Sequence, residues 1–155
     1  MRYILIDKVL SLESGKRIET VKGVSLAEEY LGDHFPTFPV LPGVLLLQGM
    51  VESASWLVRE AQGFANSMVL LQETRNVKYK SFLAPGSQVH YSIEAKTLQD
   101  GVSSFQGHGR CGDQRIVEAR FGLRHFNLSE RSAALAAVDA EVIEALKARW
   151  TLLKP

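Results

Sequence analysis

The stretch His34-Phe35-Pro36-Thr37-Phe38-Pro39-Val40-Leu41-Pro42-Gly43-Val44-Leu45-Leu46-Leu47-Gln48-Gly49-Met50-Val51-Glu52 sets a stiff loop directly against a strongly apolar run. Pro36, Pro39 and Pro42 fix their own φ angles and push the residues before them toward extended geometry, so the loop is not helical. His34 is thereby carried on a rigid platform. Pro42-Gly43 reads as the mouth of a helix, where unpaired backbone N–H groups and the macrodipole favour a carbonyl oxygen that gains negative charge. A base candidate and an oxyanion site thus stand nine residues apart.

Downstream, the run from Gly43 to about Ala61 is apolar on most sides, as expected of a helix in the interior. One stripe interrupts it. Gln48, Glu52, Ser55 and Arg59 fall at i, i+4, i+7 and i+11, which places them on one helix face. Such a face is either the side that meets water or a functional surface, and the adjoining proline loop favours the second.

Upstream, residues 3–12 and 17–25 alternate between apolar and polar types on either side of Ser14-Gly15 and predict a pair of strands. After Gly63, segments near 67–80, 87–98, 101–112 and 115–126 are rich in Val, Ile, Phe and Tyr, and Pro85-Gly86, Asp100-Gly101 and Gly112-Asp113 separate them. Asp-Gly between such runs is a hairpin signal whose two central residues need positive φ. The three breaks predict an antiparallel meander, and the whole pattern an α+β domain in which a curled sheet wraps one buried helix. From Asn127 onward, Val138, Val142, Ile143, Leu146, Trp150 and Leu153 share a face and predict an amphipathic helix over 138–153 that packs on the body or on a second protomer.

The 155 residues, 46% hydrophobic and 23% charged, suit one compact domain. A formal net charge of +1 argues against nucleic acid as the main partner. The single cysteine, Cys111, rules out an internal disulfide and any multi-cysteine metal site, which suits a reducing cytoplasm. The N-terminus meets Asp7 before a signal-peptide core can form, and no run approaches the roughly 18 apolar residues of a membrane span. No paired-His spacing suggests a metal, and Ser53 and Ser55 lack the Gly-x-Ser-x-Gly setting of a serine nucleophile. His90, His108 and His125 read as ordinary strand residues.

The spacing His-Phe-Pro-x-x-Pro-x-x-Pro-Gly-Val-Leu over His34–Leu45 resembles the signature of the hot-dog-fold 3-hydroxyacyl-[acyl-carrier-protein] dehydratases of fatty acid synthesis. The resemblance extends from about Tyr3 to about Phe126, with echoes in Leu5-Ile-Asp-Lys-Val-Leu10 and Val77-Lys-Tyr-Lys-Ser-Phe-Leu-Ala-Pro-Gly86. It implies a hot-dog domain over residues 1–126 with a helical extension over 127–155, a homodimer with two shared sites, an acyl carrier protein as partner and no cofactor. On the resemblance, His34 takes the C2 proton, Gly43, with Val44 and Phe35 beside it, holds the thioester, and a carboxyl from the buried helix of the other protomer serves the departing hydroxyl.

The chain departs from the pattern at one position. The family's acidic residue stands fourteen positions after the histidine, where this chain has Gln48, and the family's glutamine four residues later is here Glu52. An amide can hydrogen-bond a hydroxyl but cannot shuttle a proton. Four residues along a helix is about 6 Å of rise. Three readings follow: Glu52 acts as the acid while Gln48 orients the hydroxyl; His34 alone takes and returns the proton; or elimination is lost, leaving a thioesterase or an acyl-thioester-binding protein. Arg75, Lys78, Lys80, Arg110, Arg115, Arg120 and Arg124 are candidates for a cationic rim that steers an acidic carrier protein.

Overall fold

The computed structural model describes residues 3–155; Met1 and Arg2, the start of the expected domain, lie outside the described residues. In chain order the elements are β1 (Lys8–Glu13), β2 (Arg17–Gly23), a single helical turn α1 (Tyr30–Asp33), α2 (Gly43–Ala61), β3 (Met68–Tyr79), β4 (Gln88–Leu98), β5 (Val102–Cys111), β6 (Gln114–Phe126) and α3 (Ala136–Leu153), with two short 3-10 turns before α3. The strands form one antiparallel sheet in the order β1-β2-β4-β5-β6-β3. The sheet curls around α2, whose Leu46, Met50, Val51, Ala54, Leu57 and Val58 join Ile18, Val89, Ile93, Phe105, Phe121 and Leu123 in a single core. This is the hot-dog arrangement that the proline-loop signature implies.

Two glycines permit close packing, one between helix and sheet and one between neighbouring strands. A Cβ at Gly49 of α2 would lie 2.6 Å from Cζ of the buried Tyr91 ring, and one at Gly109 of β5 would lie 2.8 Å from Val117 Cγ1. No side chain fits at either place unless the neighbouring side chains give way.

Several expectations are corrected. The meander covers only β4, β5 and β6; β3 crosses over and pairs with β6, so the Pro85-Gly86 break is a connection between non-neighbours and no hairpin. β4 ends at Leu98 and β5 begins at Val102, so the Asp-Gly turn is the three-residue loop 99–101, and of its residues only Gly101 has positive φ (76°). A left-handed glycine closing a three-residue loop is a common hairpin connection. β1 begins at Lys8, later than the alternation suggests, because the Leu5 N–H donates to the Glu52 carboxylate and is diverted from any strand partner. On α3 the packed face includes Asp139 and Arg149, whereas Val138 is exposed.

Three contacts hold α3 to the body. The buried Asp139 accepts from the Ser67 hydroxyl and from the N–H groups of Leu128 (2.9 Å) and Ser129 (2.8 Å). Trp150 stacks on Trp56 of α2 at 5.7 Å, and Arg149 pairs with Glu52 at 2.7 Å.

Candidate active site

The proline loop delivers His34 to a cavity of about 350 Å³ that Gly43, Leu46, Tyr79 and Phe82 also line. The His34 N–H closes the α1 turn on the Tyr30 carbonyl, and Nδ1 lies 3.1 Å from the Val40 carbonyl oxygen. A carbonyl can only accept, so this contact places the proton on Nδ1 and leaves the Nε2 lone pair unused. Phe35 sits against the His34 ring at 4.5 Å in edge contact and has a left-handed φ of 49°, a strained conformation for a bulky residue that the surrounding proline geometry holds.

Gly43 is the first residue of α2, and the first helical bonds run from the Leu45 and Leu46 N–H groups to the Pro42 carbonyl. The N–H groups of Gly43 and Val44 therefore have no intrahelical acceptor. Tyr79 lies over Gly43, with its ring 3.3 Å from where a Cβ would stand. Glycine thus keeps the amide open beneath an aromatic wall. Val44 itself is exposed.

Gln48 and Glu52 do not share the His34 cavity. They line a second cavity of about 340 Å³ on another face of α2, together with Ser55 and Arg59, so the polar stripe does converge on one surface. That surface faces α3, whose Leu146 and Arg149 form the far wall. Glu52 is 15% exposed at its side chain; Oε1 accepts from Arg149 and Oε2 from the Leu5 N–H at 3.3 Å. Burial raises its carboxyl above the ordinary glutamate range, against the opposing pull of Arg149 and the Leu5 amide. Gln48 is exposed toward the cavity. Within one protomer, then, the base and the polar stripe stand on separate faces of the same helix.

Tyr79, the Val40 carbonyl and Arg149 were not legible as site residues. Tyr79 reads as one more strand aromatic, a backbone carbonyl carries no sequence mark, and Arg149 lies 97 positions from Glu52. Of the seven candidate rim cations, Lys80 lines the His34 cavity while also pairing with Glu118 at 2.9 Å. Lys78, Arg115 and Arg120 line a separate groove on the outer face of the sheet. Among the described residues no cluster of three or more His, Cys, Asp or Glu could hold a metal ion, and no helix is long and apolar enough to cross a membrane.

Residues 1–120 match the family described as FabA-like domain. A 3-hydroxyacyl-[acyl-carrier-protein] dehydratase FabZ of Variovorax paradoxus is 32% identical over 120 residues, covering 76% of this chain and 80% of the relative. One of Verminephrobacter eiseniae is 33% identical over 120 residues, with coverages of 76% and 80%. Among solved structures, the dehydratase heterocomplex ApeI:P of Xenorhabdus doucetiae superposes with a TM-score of 0.71 at 19% identity, covering 86% of this chain and 90% of that one. A thioesterase of Haemophilus influenzae superposes at 0.57 with 17% identity and coverages of 76% and 77%, so the fold alone does not separate the two chemistries.

Proposed function

The chain belongs to the FabA-like family, and we propose that it dehydrates 3-hydroxyacyl thioesters carried on acyl carrier protein to trans-2-enoyl thioesters, in fatty acid or related biosynthesis. The observation that carries this reading is the His34 imidazole, its Nδ1 committed to the Val40 carbonyl and its Nε2 free in a cavity that also holds the Gly43 amide. Nε2 takes the C2 proton, and the Gly43 N–H stabilises the charge that develops on the thioester oxygen. Lys80, at the same cavity, suits the approach of an acidic carrier protein.

The hydroxyl must leave toward a proton donor, and the donor side of this reading requires two copies. β3 is an edge strand with exposed Leu70 and Leu71, and Phe35, Phe38, Val44 and Phe82 are exposed around the loop. These features support a homodimer in which His34 of one protomer faces the Gln48–Glu52 stripe of the other. There Gln48 positions the hydroxyl, and Glu52, its pKa raised by burial, is the acid. In this reading residues 1–126 carry the site, residues 127–155 extend it, and the enzyme works in the cytoplasm, in keeping with its free Cys111 thiol.

Gln48 favours a second arrangement. Two copies of this chain present an amide at both sites, whereas a different family member with a carboxyl at that position would complete one of them; the solved neighbour ApeI:P is described as a dehydratase heterocomplex. Hydration of enoyl thioesters, followed by ultraviolet absorbance on wild type, His34→Ala, Gln48→Glu and Glu52→Gln, tests these assignments. His34→Ala is expected to lose about 10²- to 10⁴-fold in rate. Loss in Glu52→Gln supports the exchanged acid, and survival assigns the proton return to His34. A wild type that is inactive until a second family member is added indicates the mixed dimer. Thiol release without hydration overturns the dehydratase reading in favour of a thioesterase, and binding without either reaction leaves an acyl-binding protein.

A further inference from the structure

The cavity beside α2 has an unusual charge balance. Its wall carries two guanidinium groups, Arg59 and Arg149, and one carboxylate, Glu52. Both oxygens of that carboxylate are engaged, by Arg149 and by the Leu5 N–H. Arg59 makes no ion pair among the described residues, and its Nε is buried without a hydrogen-bond partner. Burial brings its pKa down to about 10, with Glu52 opposing and Arg149 adding to the shift. A half-buried cation without a counter-ion is costly, and folded proteins satisfy such groups.

Both guanidiniums line the cavity beside the same indole ring. Arg59 Cζ lies 5.5 Å and Arg149 Cζ 5.6 Å from the centroid of the Trp56 ring. Trp56 is eight residues beyond Gln48, about 12 Å along the helix. At three bonds for every ~3.6 Å of extended chain, that distance is roughly ten bonds. A plain alkyl tail reaching this point would strip water from two cations and return nothing. An oxygen acceptor there would meet a forked donor, which planar guanidinium groups bind well.

We propose that the cavity formed by Gln48, Arg59, Arg149 and α3 is a subsite for the far end of the acyl chain, and that it selects medium-length thioesters ending in an oxygen acceptor, a carboxylate best of all. The proposal rests on the reading that Gln48 faces the reacting hydroxyl. It gives the C-terminal helix, which lies outside the family match over residues 1–120, a part in substrate choice.

Calorimetry with saturated N-acetylcysteamine thioesters of dodecanoic, ω-hydroxydodecanoic and dodecanedioic acid, neutral at the thioester end, reads the subsite without turnover. The corresponding 2-enoyl thioesters read hydration. Wild type is expected to bind the carboxyl-ended thioester at least tenfold more tightly than the methyl-ended one, with the hydroxyl-ended one between. Arg59→Met collapses that ratio, and Arg59→Lys, which keeps the charge, retains most of it. Equal binding of the three ligands, preference for the methyl end, or a carboxyl preference that survives Arg59→Met overturns the proposal. If the binding preference is present while no enoyl thioester is hydrated, the subsite stands and the dehydratase reading fails.

Discussion

Replacing Arg149 by Met tests whether the pair with Glu52 holds the C-terminal helix against α2. The variant keeps an unbranched aliphatic side chain but removes the guanidinium that sits over Trp56, and it leaves a carboxylate only 15% exposed without its counter-charge, at an original distance of 2.7 Å. Breaking a fully buried pair costs about 3–5 kcal/mol. Because Arg149 itself is 25% exposed, solvent screening reduces this to about 1–2 kcal/mol, or a fall in Tm of roughly 2–8 °C for a chain of this size. Adding Glu52→Gln removes the unpaired charge and should restore most of the loss.

The pH dependence supplies a sharper reading. Burial raises the folded-state pKa of Glu52, so its contribution to stability is greatest below its unfolded value and falls as pH rises through the folded one. Without Arg149 that pKa climbs further. The stability gap between wild type and Arg149→Met should therefore be widest near neutrality and close as pH falls toward 4, where Glu52 is protonated in both. Chemical denaturation of wild type, both single variants and the double variant at several pH values measures the cycle. A coupling energy near zero, or a gap that does not change with pH, would refute the reasoning and leave α3 held by Trp150, Leu153 and Asp139 alone.

Gly49→Ala should destabilise the fold by about 1–3 kcal/mol, although alanine is the better helix former, because its Cβ meets the Tyr91 ring. Adding Tyr91→Phe should not rescue it, since Cζ and Cε2 would still lie at 2.6 and 2.8 Å; denaturant midpoints of Gly49→Ala, Tyr91→Phe and the double variant decide this. Asp139 behaves oppositely to Glu52. Burial pushes its carboxyl up, but the Ser67 hydroxyl and the Ser129 and Leu128 N–H groups prevail and hold it at about 2. Its stabilisation is thus present above its unfolded value of 3.8 and is lost as pH falls toward 2. Fluorescence of the stacked Trp56 and Trp150 should report that acid transition in wild type and miss it in Asp139→Ala.

How much of this was written in the chain varies from element to element. The rigid loop, the buried helix and its polar stripe followed from local rules, because proline fixes φ wherever it stands and residues at i, i+4, i+7 and i+11 share a helix face regardless of what surrounds them. Strand positions were legible for the same reason, but strand order was not. β3 pairs with β6 because pairing across a curled sheet depends on closure around α2, and no residue in Met68–Tyr79 names its partner. Val138 failed for a related reason, since helical periodicity identifies an apolar face but not the rotation at which Asp139 anchors it.

The amino-acid order alone determined that an imidazole would stand on a stiff loop before the mouth of an apolar helix, and that Gln48 and Glu52 would project together. Tertiary structure decided the rest. It turned His34 so that Val40 fixes its tautomer, and it placed the stripe on a face away from that ring. It also brought Arg149 across 97 positions to Glu52. Such contacts join residues far apart in the chain, so they exist only once the core has closed and α3 has docked, and local propensity carries no information about them.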